Sequence, residues 1–120
     1  MRKRTKMDVA TVRRVALAFP GVVEGPCYGT VGFRVRGKVL ARLWEDGETL
    51  VVKCGDEERD LRLQSDPATF FVTDHYRGYP AVLVRLARVS LADLHDVLEK
   101  GWRLQASKRQ LAEYERGLRA

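Results

Sequence analysis

Residues 33–53 read FRVRGKVLARLWEDGETLVVK, three strand-like runs separated by two turn signals. Arg36-Gly37-Lys38 supplies the first turn and Asp46-Gly47 the second. An Asp-Gly pair between β-rich runs is a strong hairpin signal, because the tightest hairpin turns need positive φ at both central residues. The stretch therefore predicts a three-stranded antiparallel meander. On its first two strands Arg34, Arg36, Lys38 and Arg42 punctuate apolar residues, which gives one apolar and one basic face. Such a surface suits a nucleic acid or an acidic protein partner.

On the N-terminal side, Asp8 reads as the cap of a first helix with Val9, Val12, Val15, Ala16 and Phe19 at helical spacing. Arg13 and Arg14 are expected toward solvent, and Pro20-Gly21 stops the helix. From Val22 to Thr30 the glycines and Pro26 predict a short edge strand or an ordered loop around Cys27-Tyr28.

On the C-terminal side, Asp56-Glu57-Glu58 opens a short helix through Leu63, with acids where the helix dipole favours them. Asp66-Pro67 is another cap signal, leading to Phe70-Phe71-Val72. Thr73 to Pro80, TDHYRGYP, reads as a loop. Ala81 to Val89 reads as a strand, with Val82, Val84 and Leu86 on one face and Leu83, Arg85 and Ala87 on the other. Ser90 caps a helix striped by Leu91, Leu94, Val97, Leu98 and Trp102. Ser107 with Gln110 forms a second capping box, starting a terminal helix. Strands close in sequence and joined by hairpins predict an antiparallel sheet with helices on one face, an α+β two-layer domain.

At 120 residues the chain reads as a flexible basic arm, residues 1–7, and a single domain, residues 8–120. No apolar run is long enough for a bilayer, and no apolar stretch follows the basic start, so a cytoplasmic protein without membrane contact is expected. Cys27 and Cys54 are isolated thiols outside any metal-ligand spacing, and no cofactor is expected. The net charge of +6 is unevenly spread: residues 10–44 carry +5 and residues 45–66 carry −5. That polarisation favours oriented encounter with a charged partner.

Four groups of residues are candidates for function. Arg34, Arg36, Lys38 and Arg42 would contact phosphates as a β-ribbon lies along a groove. Arg2, Lys3, Arg4 and Lys6 would add electrostatic affinity as an arm. Lys108 and Arg109 could join them. His75, Tyr76, Arg77 and Tyr79 could stack on bases or hold an anion, or else form an ordered turn whose rings cover the core. No nucleophile elbow surrounds Cys27, so catalysis by Cys27 with His75 and Asp74 is not expected and the protein reads as non-enzymatic. The first turn is the better phosphate contact, because Glu45 and Glu48 flank the second.

The order of motifs resembles the MmcQ/YjbR family: Pro20-Gly21-Val22, Tyr28-Gly29-Thr30, Phe33-Arg-Val-Arg-Gly-Lys38, Asp46-Gly47, Val52-Lys53, Phe70 to Thr73, His75 to Pro80, Val82-Leu83-Val84 and Trp102. The resemblance runs from about Val9 to Tyr114. It implies a double-wing α+β fold, similar to CyaY and to secretion-chaperone-like domains, and a weakly sequence-selective DNA-binding role. It carries over no catalytic residue. The chain departs from the family's pattern at Val31-Gly32, where proline is frequent, and at Ala81, where tryptophan is frequent. Two other readings stand beside DNA binding. One is a chaperone-like module holding a partner peptide between sheet and C-terminal helices. The other is a small-ligand or enzyme site at the His75 loop, which a deep pocket joining His75, Tyr28 and Cys27 would mark.

Overall fold

A computed structural model describes residues 7–119. Asp8 opens helix α1 (Val9–Leu17) as its sequence position predicts, its carboxylate accepting from the Thr11 backbone N–H at 2.9 Å. Four strands follow as a continuous meander: β1 (Val22–Cys27), β2 (Thr30–Val35), β3 (Lys38–Leu43) and β4 (Thr49–Lys53). Helix α2 (Asp56–Ser65) then leads to the two-residue β5 (Phe70–Phe71), a 3-10 turn at Asp74–Tyr76, and β6 (Ala81–Arg85). Helices α3 (Leu91–Gln105) and α4 (Lys108–Arg119) close the chain. The sheet order is β1-β2-β3-β4-β6-β5, with every neighbouring pair antiparallel. Strand β6 enters beside β4 and leaves the very short β5 at the edge, which limits the unpaired ladder exposed there.

Strand alternation sends one set of side chains toward the helices. Phe33, Leu50, Val52, Val82 and Val84 are each at most 1% exposed and join Leu94, Leu98 and Trp102 in one core. Trp102 is fully buried against Phe19 and Tyr114, and its indole N–H donates to the Pro20 carbonyl at 2.9 Å. The helix approaches the sheet most closely at Gly101, where an added Cβ would lie 2.5 Å from the Lys53 carbonyl oxygen. The capping box at α4 forms as its residues predict: the Ser107 hydroxyl accepts from the Gln110 N–H at 3.1 Å, and the Ser107 N–H donates to the Gln110 side chain at 2.9 Å.

The hairpins distribute differently from the sequence expectation. Tyr28-Gly29 and Arg36-Gly37 are the two turns with positive φ at both central residues, 52° and 82° in the first, 55° and 78° in the second. Asp46-Gly47 instead lies within the longer connection 44–48, and there only Gly47 is left-handed, at 71°. Asp46 works through its side chain, accepting from the Glu48 and Thr49 N–H groups and the Thr49 hydroxyl at 2.8–3.0 Å. This is the Asx-turn role of aspartate, which competes with a two-residue turn. Of the two readings of residues 22–30, the edge strand holds: Val22–Cys27 form the six-residue β1, followed by the Tyr28-Gly29 turn. The last strand stops at Arg85 rather than Val89.

Partial burial of Asp46 raises its carboxyl pKa, but the accepted hydrogen bonds outweigh it and hold the group below its ordinary value. A lowered folded pKa means this stabilisation is present above the unfolded value and is lost as pH falls through the folded one. Asp46→Ala is therefore expected to destabilise by about 1–2 kcal/mol at pH 7, the range for losing a side-chain cap. Urea unfolding at pH 7 and pH 3 checks this, with the gap between wild type and variant shrinking at the lower pH.

Candidate functional site

Two surfaces hold the sequence-nominated residues. The first is a corner where the β2–β3 turn meets the α3–α4 junction. The Arg36 guanidinium donates to the carbonyl of Gln105 at 3.4 Å, a favourable place for a cation because it is the C-terminal end of a helix. Gly21 lies beside both the Gln110 side chain and Val35, and Val35 pairs with Lys38 across the turn. Those contacts bring the first turn of α4, with Lys108 and Arg109, to the same corner as Arg36 and Lys38. All four side chains are exposed. Lys38, Lys108 and Arg109 form no ion pair among the described residues.

The second surface is the sheet face that carries no helices. Gly32, Arg42, Val51, Leu83 and Phe71 are cross-strand neighbours along it. The 73–80 loop folds over part of this face, held by Tyr79 donating to Tyr76 O, by the Cys54 N–H on Pro80 O and by Arg59 on Tyr79 O. Beneath it lies a cavity of about 420 Å³. Tyr28, from the β1–β2 turn, lines the cavity together with His75, Tyr76 and Tyr79 from the loop and Arg42 and Lys53 from the sheet. Its remaining lining, Val39, Leu40, Val51, Pro80 and Ala81, is largely apolar.

Tyr76 is the centre of the ring cluster, with Trp44 at 6.3 Å, His75 at 5.2 Å and Tyr79 at 6.1 Å. The loop is thus both an ordered cover, through half-buried Tyr76, and an accessible surface, through exposed His75 and Tyr79. Arg77 is not part of the cavity lining; it is exposed and paired with Asp74 at 2.9 Å.

The structure separates Arg42 from the other basic residues of the meander. Arg42 is 9% exposed and cannot lie along a nucleic-acid backbone as an open-face cation. It donates to the Tyr76 hydroxyl at 2.9 Å and to Thr30 and the Leu43 carbonyl at 3.3–3.4 Å, with its guanidinium 5.3 Å from the Tyr28 ring centre. The β-bulge between Phe33 and Arg34 contributes to the difference, because it shifts the register of β2 on β3 and breaks simple alternation. Arg34, on the edge side, bonds the Pro26 carbonyl at 3.1 Å. The arm residues Arg2, Lys3, Arg4 and Lys6 lie outside the described residues.

Cys27 is buried, 1% exposed, and does not line the cavity that joins Tyr28 to His75. Burial pushes the Cys54 thiol up to about 11, away from the reactive thiolate range. Among the described residues no cluster of three His, Cys, Asp or Glu could hold a metal ion. No helix among them is long and apolar enough to cross a membrane. The space directly between the sheet and α3 is filled by core side chains, Trp102 among them, whereas a depression of about 650 Å³ lies between α2 and α3, lined in part by exposed Leu61 and Leu104.

Sequence reasoning passed over Lys53 and named Tyr28 only as one wall of a pocket that would mark a ligand site. A signal for Tyr28 was present: a tyrosine stands before Gly29 at a turn position where glycine or asparagine is favoured. Lys53, at the end of an otherwise apolar strand, carried no comparable mark.

A family model described as YjbR matches residues 17–104. Three proteins from mycobacteria, all named as uncharacterized, are 41% identical over 63 residues; they are Mb2600 of Mycobacterium bovis and MT2646 and Rv2570 of two Mycobacterium tuberculosis strains. The alignment covers 52% of this chain and 49% of each relative, so the chain spans about half the length of the curated relatives it matches. Among solved structures, a Deinococcus radiodurans protein, DR2400, with a DUF419 domain, superposes with a TM-score of 0.72. It is 22% identical, and the match covers 92% of this chain and 91% of that one, a likeness of fold.

Proposed function

The chain belongs to the YjbR family, and from that premise we propose that it is a non-enzymatic, cytoplasmic, nucleic-acid-binding protein of weak sequence selectivity. Duplex DNA is its partner in this reading, gripped through the phosphate backbone by Arg36 and Lys38 of the first wing and by Lys108 and Arg109 of α4. The N-terminal arm adds affinity by charge alone. The observation that carries the reading is the 3.4 Å bond from Arg36 to Gln105 O. It joins two cationic segments far apart in sequence into one exposed corner, where none of the four cations has a carboxylate partner among the described residues. Unpaired cations on a rigid turn and a helix terminus suit phosphate oxygens, which set position rather than sequence. Arg42 takes no part in this contact, since it lies within the cavity lining.

The test is fluorescence anisotropy with a labelled duplex at low salt. The triple variant Lys38→Ala, Lys108→Ala, Arg109→Ala removes only exposed side chains and is expected to bind roughly tenfold or more weakly. Arg88→Ala serves as the control, since the 86–88 segment lies by Glu48 at the opposite end of the strands. Equal affinity for the triple variant and the wild type would refute the reading.

A further inference from the structure

Arg42 and its surroundings are unexplained by contact with a phosphate backbone. Its side chain is 10% exposed, and its single carboxylate partner, Glu45, stands 3.7 Å away and is itself 63% exposed. A cation this far removed from water ordinarily has a close counter-charge. Lys53 lines the same cavity and forms no ion pair among the described residues. None of the chain's 16 carboxylate side chains lines that cavity. Two cations therefore share an enclosure of about 420 Å³ with four rings, Tyr28, His75, Tyr76 and Tyr79, and with no anion.

Tyr28 supplies a second and independent observation. It holds a left-handed φ of 52° and its side chain is 79% exposed. Neither burial nor backbone preference accounts for a tyrosine there, because glycine would adopt that conformation without strain. What the tyrosine does contribute is a ring placed over the Arg42 guanidinium at the cavity rim. Tyr79, 58% exposed, presents another ring of the same lining.

We propose that this cavity is a binding site for a small planar molecule bearing one anionic group, a phosphate or a carboxylate. The anion sits on Arg42 and Lys53, and the ring lies against Tyr28 and the tyrosines of the 73–80 loop. The cavity's size and its mixture of apolar walls with a few convergent polar groups are those of small-molecule sites. A buried guanidinium suits either oxyanion, so the phosphate and carboxylate arms of the test separate the two.

The experiment is isothermal titration calorimetry of the full chain with adenosine 5′-monophosphate and with indole-3-acetate. Adenosine and inorganic phosphate are the probes lacking the charge or the ring. At least one of the two planar anions is expected to bind, and at least tenfold more tightly than adenosine or inorganic phosphate. Tyr28→Gly keeps or improves folding at a left-handed position yet is expected to weaken binding at least tenfold, as is Lys53→Met. Lys38→Ala with Lys108→Ala is expected to leave it unchanged, which separates this site from the basic corner. No heat from either planar anion, equal binding of adenosine, or full binding by Tyr28→Gly would overturn the proposal. So would a single-stranded oligonucleotide whose binding depends on Tyr28 and Lys53 when neither monomer binds.

Discussion

Trp102→Ala is expected to lower the free energy of unfolding by about 3–5 kcal/mol, the range for truncating a fully buried large aromatic. Trp102 has no solvent exposure, packs on Phe19 and Tyr114, and donates its indole N–H to Pro20 O. That last bond ties α3 to the end of the α1 connection, 82 residues earlier. The truncation therefore opens a cavity and also leaves the Pro20 carbonyl without its donor. Since domains of this kind are stable by roughly 5–15 kcal/mol, the loss is a large fraction of the total. Urea unfolding followed by circular dichroism measures it. Trp102→Phe should recover part of the loss, because it restores most of the ring volume but not the donor.

Gly101→Ala is the second large effect, and its sign is the informative part. In a helix interior this change ordinarily stabilises by up to about 1 kcal/mol. Here the new methyl would stand 2.5 Å from the Lys53 carbonyl oxygen and 3.2 Å from a Leu40 methyl. Neither neighbour is a free side-chain end; one is strand backbone and the other a core leucine. Forcing α3 off the sheet should cost about 1–3 kcal/mol, the usual overpacking range. Gly117→Ala in α4 has no heavy atom within 4 Å of its new Cβ and should stabilise by a few tenths to about 1 kcal/mol. The same substitution at two helical glycines thus has opposite expected signs, read from the same denaturation curves.

Much of the fold was legible because its signals are local. Asp8, Ser90 and the Ser107–Gln110 pair each place a helix start through hydrogen bonds spanning three residues. Val82 and Val84 mark the core face of β6 by alternation alone. The site was less legible because its contacts are distant. Arg42 reaches Tyr76 across 34 residues, and Arg36 reaches Gln105 across 69. No pattern within a short window distinguishes an arginine that leans into a cavity from one that faces solvent. The β2 bulge compounds this, since it changes which residues of β2 and β3 share a face. Leu83 shows the same limit: placed by alternation with Arg85 on the outer face, it is nonetheless fully buried, beside Val51 and Phe71.

The Asp46-Gly47 connection illustrates a local signal with two physical outcomes. An Asp-Gly pair serves a two-residue turn when both residues become left-handed, but aspartate can also accept from backbone N–H groups ahead of it. Here the second outcome holds, and Glu45, Asp46 and Glu48 gather around that end of the sheet. The basic wing turn lies at the other end, so the charge polarity along the sequence becomes a polarity along the strands.

The nucleic-acid reading is tested most directly by the salt dependence of duplex binding. If Arg36, Lys38, Lys108 and Arg109 each neutralise one phosphate, log Kobs against log salt concentration should fall with a slope of about −3.5. Contacts from the N-terminal arm would steepen it. The variant Lys38→Ala, Lys108→Ala, Arg109→Ala should flatten the slope by about 2.5–3. A slope near zero in the wild type, or one that the triple variant leaves unchanged, would contradict the account.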